Sequence, residues 1–102
     1  MDMKKMMKQA QKMQRDAAAA QQEIAAMTFE ASAGGGMVKA TATGEMAITD
    51  ITIDPAAVDP EDVEMLQDMV VAAVNEALRA ASEASNARMN AVMGGMKIPG
   101  LM

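Results

Sequence analysis

The chain has no cysteine, no histidine, no tryptophan and no tyrosine, and its single aromatic residue is Phe29. Without imidazole or thiolate there is no general base of the histidine type, no sulfur nucleophile and no zinc site of the usual ligands. The fourteen acidic residues are the remaining catalytic candidates. A working carboxylate pair needs a desolvating cleft to raise one pKa, and a chain with one aromatic ring has little to line it with. No enzyme activity, cofactor, metal or small-molecule substrate is therefore expected.

Long apolar runs are also missing. No stretch reaches the roughly eighteen residues that span a bilayer. Lys4, Lys5, Lys8, Lys12 and Arg15 break up the start before any signal-peptide core of about seven apolar residues can form. The lack of disulfides fits a reducing compartment, and the cytoplasm is the expected location. With 102 residues the chain makes one domain, 1–102.

Acids outnumber bases, fourteen to nine, for a net charge of −5, so the surface as a whole does not attract nucleic acid. The charges are segregated, however. Residues 1–15 carry five bases and one acid, whereas Glu45, Asp50, Asp54, Asp59, Glu61, Asp62, Glu64 and Asp68 follow one another with no base between them.

What the sequence does contain is clear periodicity. Met3, Met6, Ala10, Met13, Ala17, Ala20, Ile24 and Met27 step alternately by three and four, a heptad seam. The spacing predicts one helix over 2–27, free of Gly and Pro. Alternating segments around Gly34-Gly35-Gly36 and Gly44-Glu45 predict three antiparallel strands over 28–53. In the third, Ala47, Thr49, Ile51 and Ile53 share a face that is expected to meet the core, with Met46, Ile48, Asp50 and Thr52 on the other. Asp59-Pro60-Glu61-Asp62 reads as a helix start with Asp59 as N-cap, giving a second helix over 60–93 and a tail over 94–102. The class is α+β: helix, three-stranded antiparallel meander, helix. One covering helix would leave the other sheet face and the seam unpartnered, so the seam residues are expected to form a dimer interface.

All five N-terminal bases avoid the seam. Lys5, Lys8, Lys12 and Arg15 step by three, four and three and so form a positive ridge on the opposite side, with Lys4 beside it. Such a ridge follows phosphates without reading bases, and a dimer would carry two of them. Duplex DNA suits it better than single strands, because the segment has no aromatic stacking platform. The apolar face of Met and Ala lacks the Trp, Phe or Leu that anchor a helix on a membrane. The fourteen methionines raise a copper(I) reading through Met3, Met6 and Met7, but flexible seam packing accounts for them better. Gly34-Gly35-Gly36 lies between strands without the Lys and Ser or Thr of a phosphate-binding loop.

Several segments together carry a family resemblance: Met7-Lys8-Gln9-Ala10-Gln11-Lys12-Met13-Gln14, Gly36-Met37-Val38-Lys39-Ala40-Thr41, Ile51-Thr52-Ile53-Asp54-Pro55, Asp68-Met69-Val70-Val71-Ala72-Ala73-Val74-Asn75-Glu76-Ala77 and Gly95-Met96-Lys97-Ile98-Pro99-Gly100. In this order they resemble the YbaB/EbfC nucleoid-associated proteins over almost the whole chain. The resemblance implies an intertwined homodimer whose sheets join and whose long helices project. It also implies DNA binding with little or no sequence selectivity, and a place in the bacterial nucleoid with roles in chromosome organisation and gene regulation. The expected phosphate contacts are Lys4, Lys5, Lys8, Lys12 and Arg15, with Arg88 and Lys97 as accessories. The rival reading is a dimeric protein-interaction adaptor docking through its acidic centre, with nucleic acid incidental.

Overall fold

A computed structural model describes residues 2–94. Helix α1, Met3–Ala26, begins where Asp2 accepts a hydrogen bond from the Lys4 amide at 3.0 Å and ends where the extended Met27 donates to the Ile24 carbonyl. An Asp at this position satisfies one of the free amides of the first turn. The chain then enters a meander of β1 (Thr28–Ala33), β2 (Val38–Thr43) and β3 (Ile48–Ile53), in that spatial order. Gly34, Gly35 and Gly36 all take positive φ, a conformation that costs glycine little and side chains more. Gly44 is required for a different reason. A Cβ there would lie 1.8 Å from the Ile24 carbonyl oxygen, so its bare backbone lets the end of α1 sit against the β2–β3 turn.

The second helix, α2 (Val63–Gly94), starts three residues later than the sequence suggested. Two aspartates compete for the cap. Asp59 accepts from the Glu61 amide at 2.9 Å and its carbonyl accepts from Asp62, closing a turn around Pro60. Asp62 then takes the capping role, accepting from the Met65 amide at 3.2 Å. Pro60 serves the turn, where its fixed φ is equally suited. A 3-10 turn, Pro55–Ala57, capped by Asp54, separates the sheet from this start. The helix includes Gly94, and the tail beyond it lies outside the described residues.

The core is a layer of small side chains. Val38, Ala40 and Ala42 of β2 face Ala73, Ala77 and Ala81 of α2, all fully buried. Alanine every fourth residue allows the helix backbone to come close to the strand. Phe29, Ala31 and Ala33 from β1, with Leu66, Met69, Val70, Val74 and Leu78 from α2, pack around this layer.

Two expectations about the sheet need correction. Register places Ala40 opposite Ile51 and Val38 opposite Ile53, but a bulge at Thr41/Ala42 then pairs Ala42 with Ile48. The bulge inserts an extra residue into β3, so Ile48 joins the face of Ile51 and Ile53 instead of opposing it. That face is the core side. Even so, Ile51 and Ile53 remain 40% and 37% exposed, because α2 packs on β1 and β2 and stops short of β3. The other sheet face carries Glu30, Ser32, Lys39, Thr41, Asp50 and Thr52 in register. It is polar, in contrast to the core side.

Candidate nucleic-acid interface

Helix α1 leaves the sheet and projects. The ion pair between Arg88 Nη2 and Glu23 Oε2, at 2.7 Å, sets its register beside the last turns of α2, with the two helices antiparallel. With Glu23 beside Arg88, the two helices laid end to end in this way measure about 65–70 Å at ~1.5 Å per residue, which agrees with the long dimension of 71 Å. Gly94 then lies beside about Ala17, and the first turns of α1 extend past it.

This register divides the heptad seam. Ala20 and Ile24 are buried within the chain, Ile24 against the β2–β3 turn at Gly44, and Met13 and Ala17 are half-buried. Met3, Met6 and Ala10 are exposed, as is Met27 at the far end. Intrachain cover of Ala20 and Ile24 removes them from the surface offered to another copy.

The bases fall where their spacing put them. Lys4, Lys5, Lys8, Lys12 and Arg15 are all exposed on the side away from the seam, and among the described residues none of them takes part in a salt bridge. From Lys5 to Arg15 the ridge rises about 15 Å at ~1.5 Å per residue. That matches roughly four base pairs of duplex at ~3.4 Å each.

The ridge is electrostatically uncomfortable without a ligand. Like charges three and four residues apart repel along a helix. The first turn has no acidic residue, so Lys4 and Lys5 also sit at the positive end of the helix dipole. A row of phosphates along the ridge relieves the repulsion between its bases.

Arg88 behaves differently from the sequence expectation. Its guanidinium is tied to Glu23 across the two helices, a pairing separated by 65 residues that no local pattern reveals. Arg79 is likewise occupied, between Glu76 and Glu83 on the outer side of α2. The hydrogen bond from Arg79 holds the Glu76 carboxyl below the usual carboxylate range, and the same pair raises Arg79 further. Lys97 lies outside the described residues. Besides Arg79, one more exposed base lies outside the sequence-predicted contacts, Lys39 in the middle of the polar sheet face. The alternation of β2 was its only signal, and the sheet separates it from the ridge.

The acids gather at the opposite end. A groove lined by Ala33, Gly34, Met65, Met69 and Ala72 has Asp62, Glu64 and Asp68 on its rim. It lies at the start of α2, tens of ångströms from the tip of α1 by the helical rise. At ~0.1 M salt charges are screened over about 10 Å. Asp62, Glu64 and Asp68 are therefore screened from the ridge at the other end. No described helix is long and apolar enough to cross a membrane.

Comparison with known proteins agrees with this geometry. A model of the YbaB/EbfC DNA-binding family matches residues 1–96. A nucleoid-associated protein of Pelotomaculum thermopropionicum is 54% identical over 100 residues, which span 98% of this chain and 95% of that protein. One from Acetivibrio thermocellus is 57% identical over 97 residues, 94% of this chain and 86% of its own length. Among solved structures, the crystal structure of protein HP0035 from Helicobacter pylori is similar in fold, with a TM-score of 0.73 at 24% identity, covering 90% of this chain and 98% of that one.

Proposed function

The chain belongs to the YbaB/EbfC DNA-binding family, and from that premise we propose that it holds duplex DNA by its phosphates, through the ridge of Lys4, Lys5, Lys8, Lys12 and Arg15, as a homodimer with two such ridges. Its function is that of a DNA-binding, nucleoid-associated protein, and its place is the cytoplasmic nucleoid.

One observation carries the reading of the site: five bases, exposed and without salt-bridge partners among the described residues, stand on one side of a projecting helix. Lysines on a smooth helix follow backbone charge and have no geometry for base edges, so selectivity among sequences is low. For the dimer, the support lies at β3. It is an edge strand with unpaired backbone groups, and Ile51 and Ile53 beside it lack cover. A second copy paired along β3 supplies both needs. Ala20 and Ile24 are already covered within one chain, so the edge strand replaces the seam as the surface we assign to dimerisation.

The test is affinity for a random-sequence duplex across roughly 50 to 200 mM salt. Each neutralised phosphate contributes about −0.9 to the slope of log K against log salt, so one ridge gives about −4.5 and two give about −9. Changing Lys5, Lys8, Lys12 and Arg15 together to Gln is expected to reduce the slope to about −1 per chain while circular dichroism stays unchanged. An unchanged slope would remove the ridge from the mechanism. No binding at the lowest salt would shift attention to the acid-rimmed groove and a basic protein partner.

A further inference from the structure

We propose that the groove at the start of α2 takes the first turns of α1 from a second copy of the chain, so that copies join basic tip to acidic groove. The groove holds about 430 Å³ between the end of β1 and α2, with Ala33, Met65 and Met69 in its apolar lining and Asp62, Glu64 and Asp68 on its rim. That volume is near the small end of binding clefts and suits the side chains of one helical turn. All three acids are exposed, and among the described residues none of them forms a salt bridge. Met65 is itself 58% exposed, so apolar lining is left in water. The groove lies on the β1 side of the sheet and leaves the edge of β3 free.

The tip of α1 carries the matching parts. Met3, Met6 and Met7 are 75%, 51% and 59% exposed and stand at i, i+3 and i+4, the spacing by which an amphipathic helix anchors in an apolar groove. At ~100° per residue, Lys4 lies about 60° from Met7 on one flank of this strip and Lys5 about 100° from Met6 on the other. Methionines seated in the groove therefore leave a lysine on either side, with an apolar stem along the lining and an ammonium at the level of the rim. Thioether side chains adapt to a shallow lining of other methionines.

Charge decides the occupant. The first turn of α1 holds bases and no acid, and the groove is rimmed by acids and no base. Each surface supplies the counter-charge that the other lacks, and complementarity of this kind fixes which surfaces meet. One chain cannot satisfy itself, because its tip and its groove lie at opposite ends of two helices tied together by Arg88 and Glu23. Two tips packed through their methionines would bring ten bases together across an interaxial distance of about 8–10 Å, within a screening length at ~0.1 M salt. Tip in groove joins unlike surfaces of two copies, and such head-to-tail contacts continue into rings or open chains. The contact concerns the free protein and does not rest on the DNA reading, although a duplex would compete with the groove for Lys4 and Lys5.

The test compares the full chain without DNA at ~0.01 M salt, where charges act over about 30 Å, and at ~1 M, where they act over about 3 Å. With rising protein concentration its weight-average mass in sedimentation is expected at least to double at the low salt and to stay constant at the high one. Glu64→Lys with Asp68→Lys, or Lys4→Glu with Lys5→Glu, is expected to abolish the rise. Mixing the two variants is expected to restore it, since each offers the other a tip and a groove of matched charge. All four positions are exposed, and circular dichroism checks that both variants fold. In the native chain, the carbon-13 methyl signals of Met3, Met6, Met7, Met65 and Met69 should shift together with concentration while Met27 stays still. A mass that does not rise at low salt would overturn the inference, as would a rise that survives either pair of changes or a mixture that fails to regain it. Shifts at Met65 and Met69 without shifts at the tip would give the groove to another occupant and overturn it as well.

Discussion

The sheet with the first half of α2 and the tip of α1 are built on opposite terms. In the first, Val38, Ala40, Ala42, Ala73, Ala77 and Ala81 exclude water completely, and the backbone of one element rests almost directly on another. In the second, no described residue before Ala20 is buried, and five exposed bases crowd the outer side. Burial of apolar area stabilises the first at ~25 cal/mol per Å². The second gains little from burial and loses from repulsion, so it depends on what it binds. The buried core and the proposed DNA contacts thus lie at separate ends, and each can be altered while the other is followed.

The sharpest break in that comparison is expected at Gly44, the hinge between the two regions. Gly44→Ala puts a methyl group 1.8 Å from the Ile24 carbonyl oxygen. Backbone must move to admit it, so the loss should exceed the roughly 1–3 kcal/mol typical of overpacking. A urea midpoint equal to that of the native chain would mean that α1 does not rest on this turn. A smaller effect, on assembly and not on fold, follows from Ile51→Asp with Ile53→Asp. Both residues are already partly exposed, so the chain should stay folded and light scattering should report a monomer. Its DNA salt slope should then fall from about −9 to about −4.5. A native-size particle would show that β3 is not the dimer edge. The smallest change is expected at the junction itself, with Arg88→Gln. An ion pair whose side chains are 44% and 52% exposed contributes within about 0–1 kcal/mol. The DNA salt slope should not move, because the guanidinium serves Glu23. A slope reduced by about 0.9 per chain would return Arg88 to the phosphate contacts.

Sequence and structure agree most closely where the pattern is local. The ridge follows from the spacing of Lys5, Lys8, Lys12 and Arg15 alone, and the end of α1 at Met27 follows from the strand-forming Thr28-Phe29. The start of α2 was displaced by three residues because Asp59 and Asp62 are chemically equivalent caps, and only the turn around Pro60 decides between them. The bulge at Thr41/Ala42 cannot be read from the alternation of β3, since one inserted residue inverts the apparent face of Ile48. Nonlocal facts were the least legible. Which strands α2 crosses determines the exposure of Ile51 and Ile53, and Arg88 finds Glu23 only after both helices have docked.

The distance between the basic tip and the acidic groove bears on the DNA complex we propose. A molecule held on a duplex by its tip, as we propose, has Asp62, Glu64 and Asp68 turned away from that duplex. The side it then shows to solution carries carboxylates, set apart from the bases along the 71 Å long axis of the molecule.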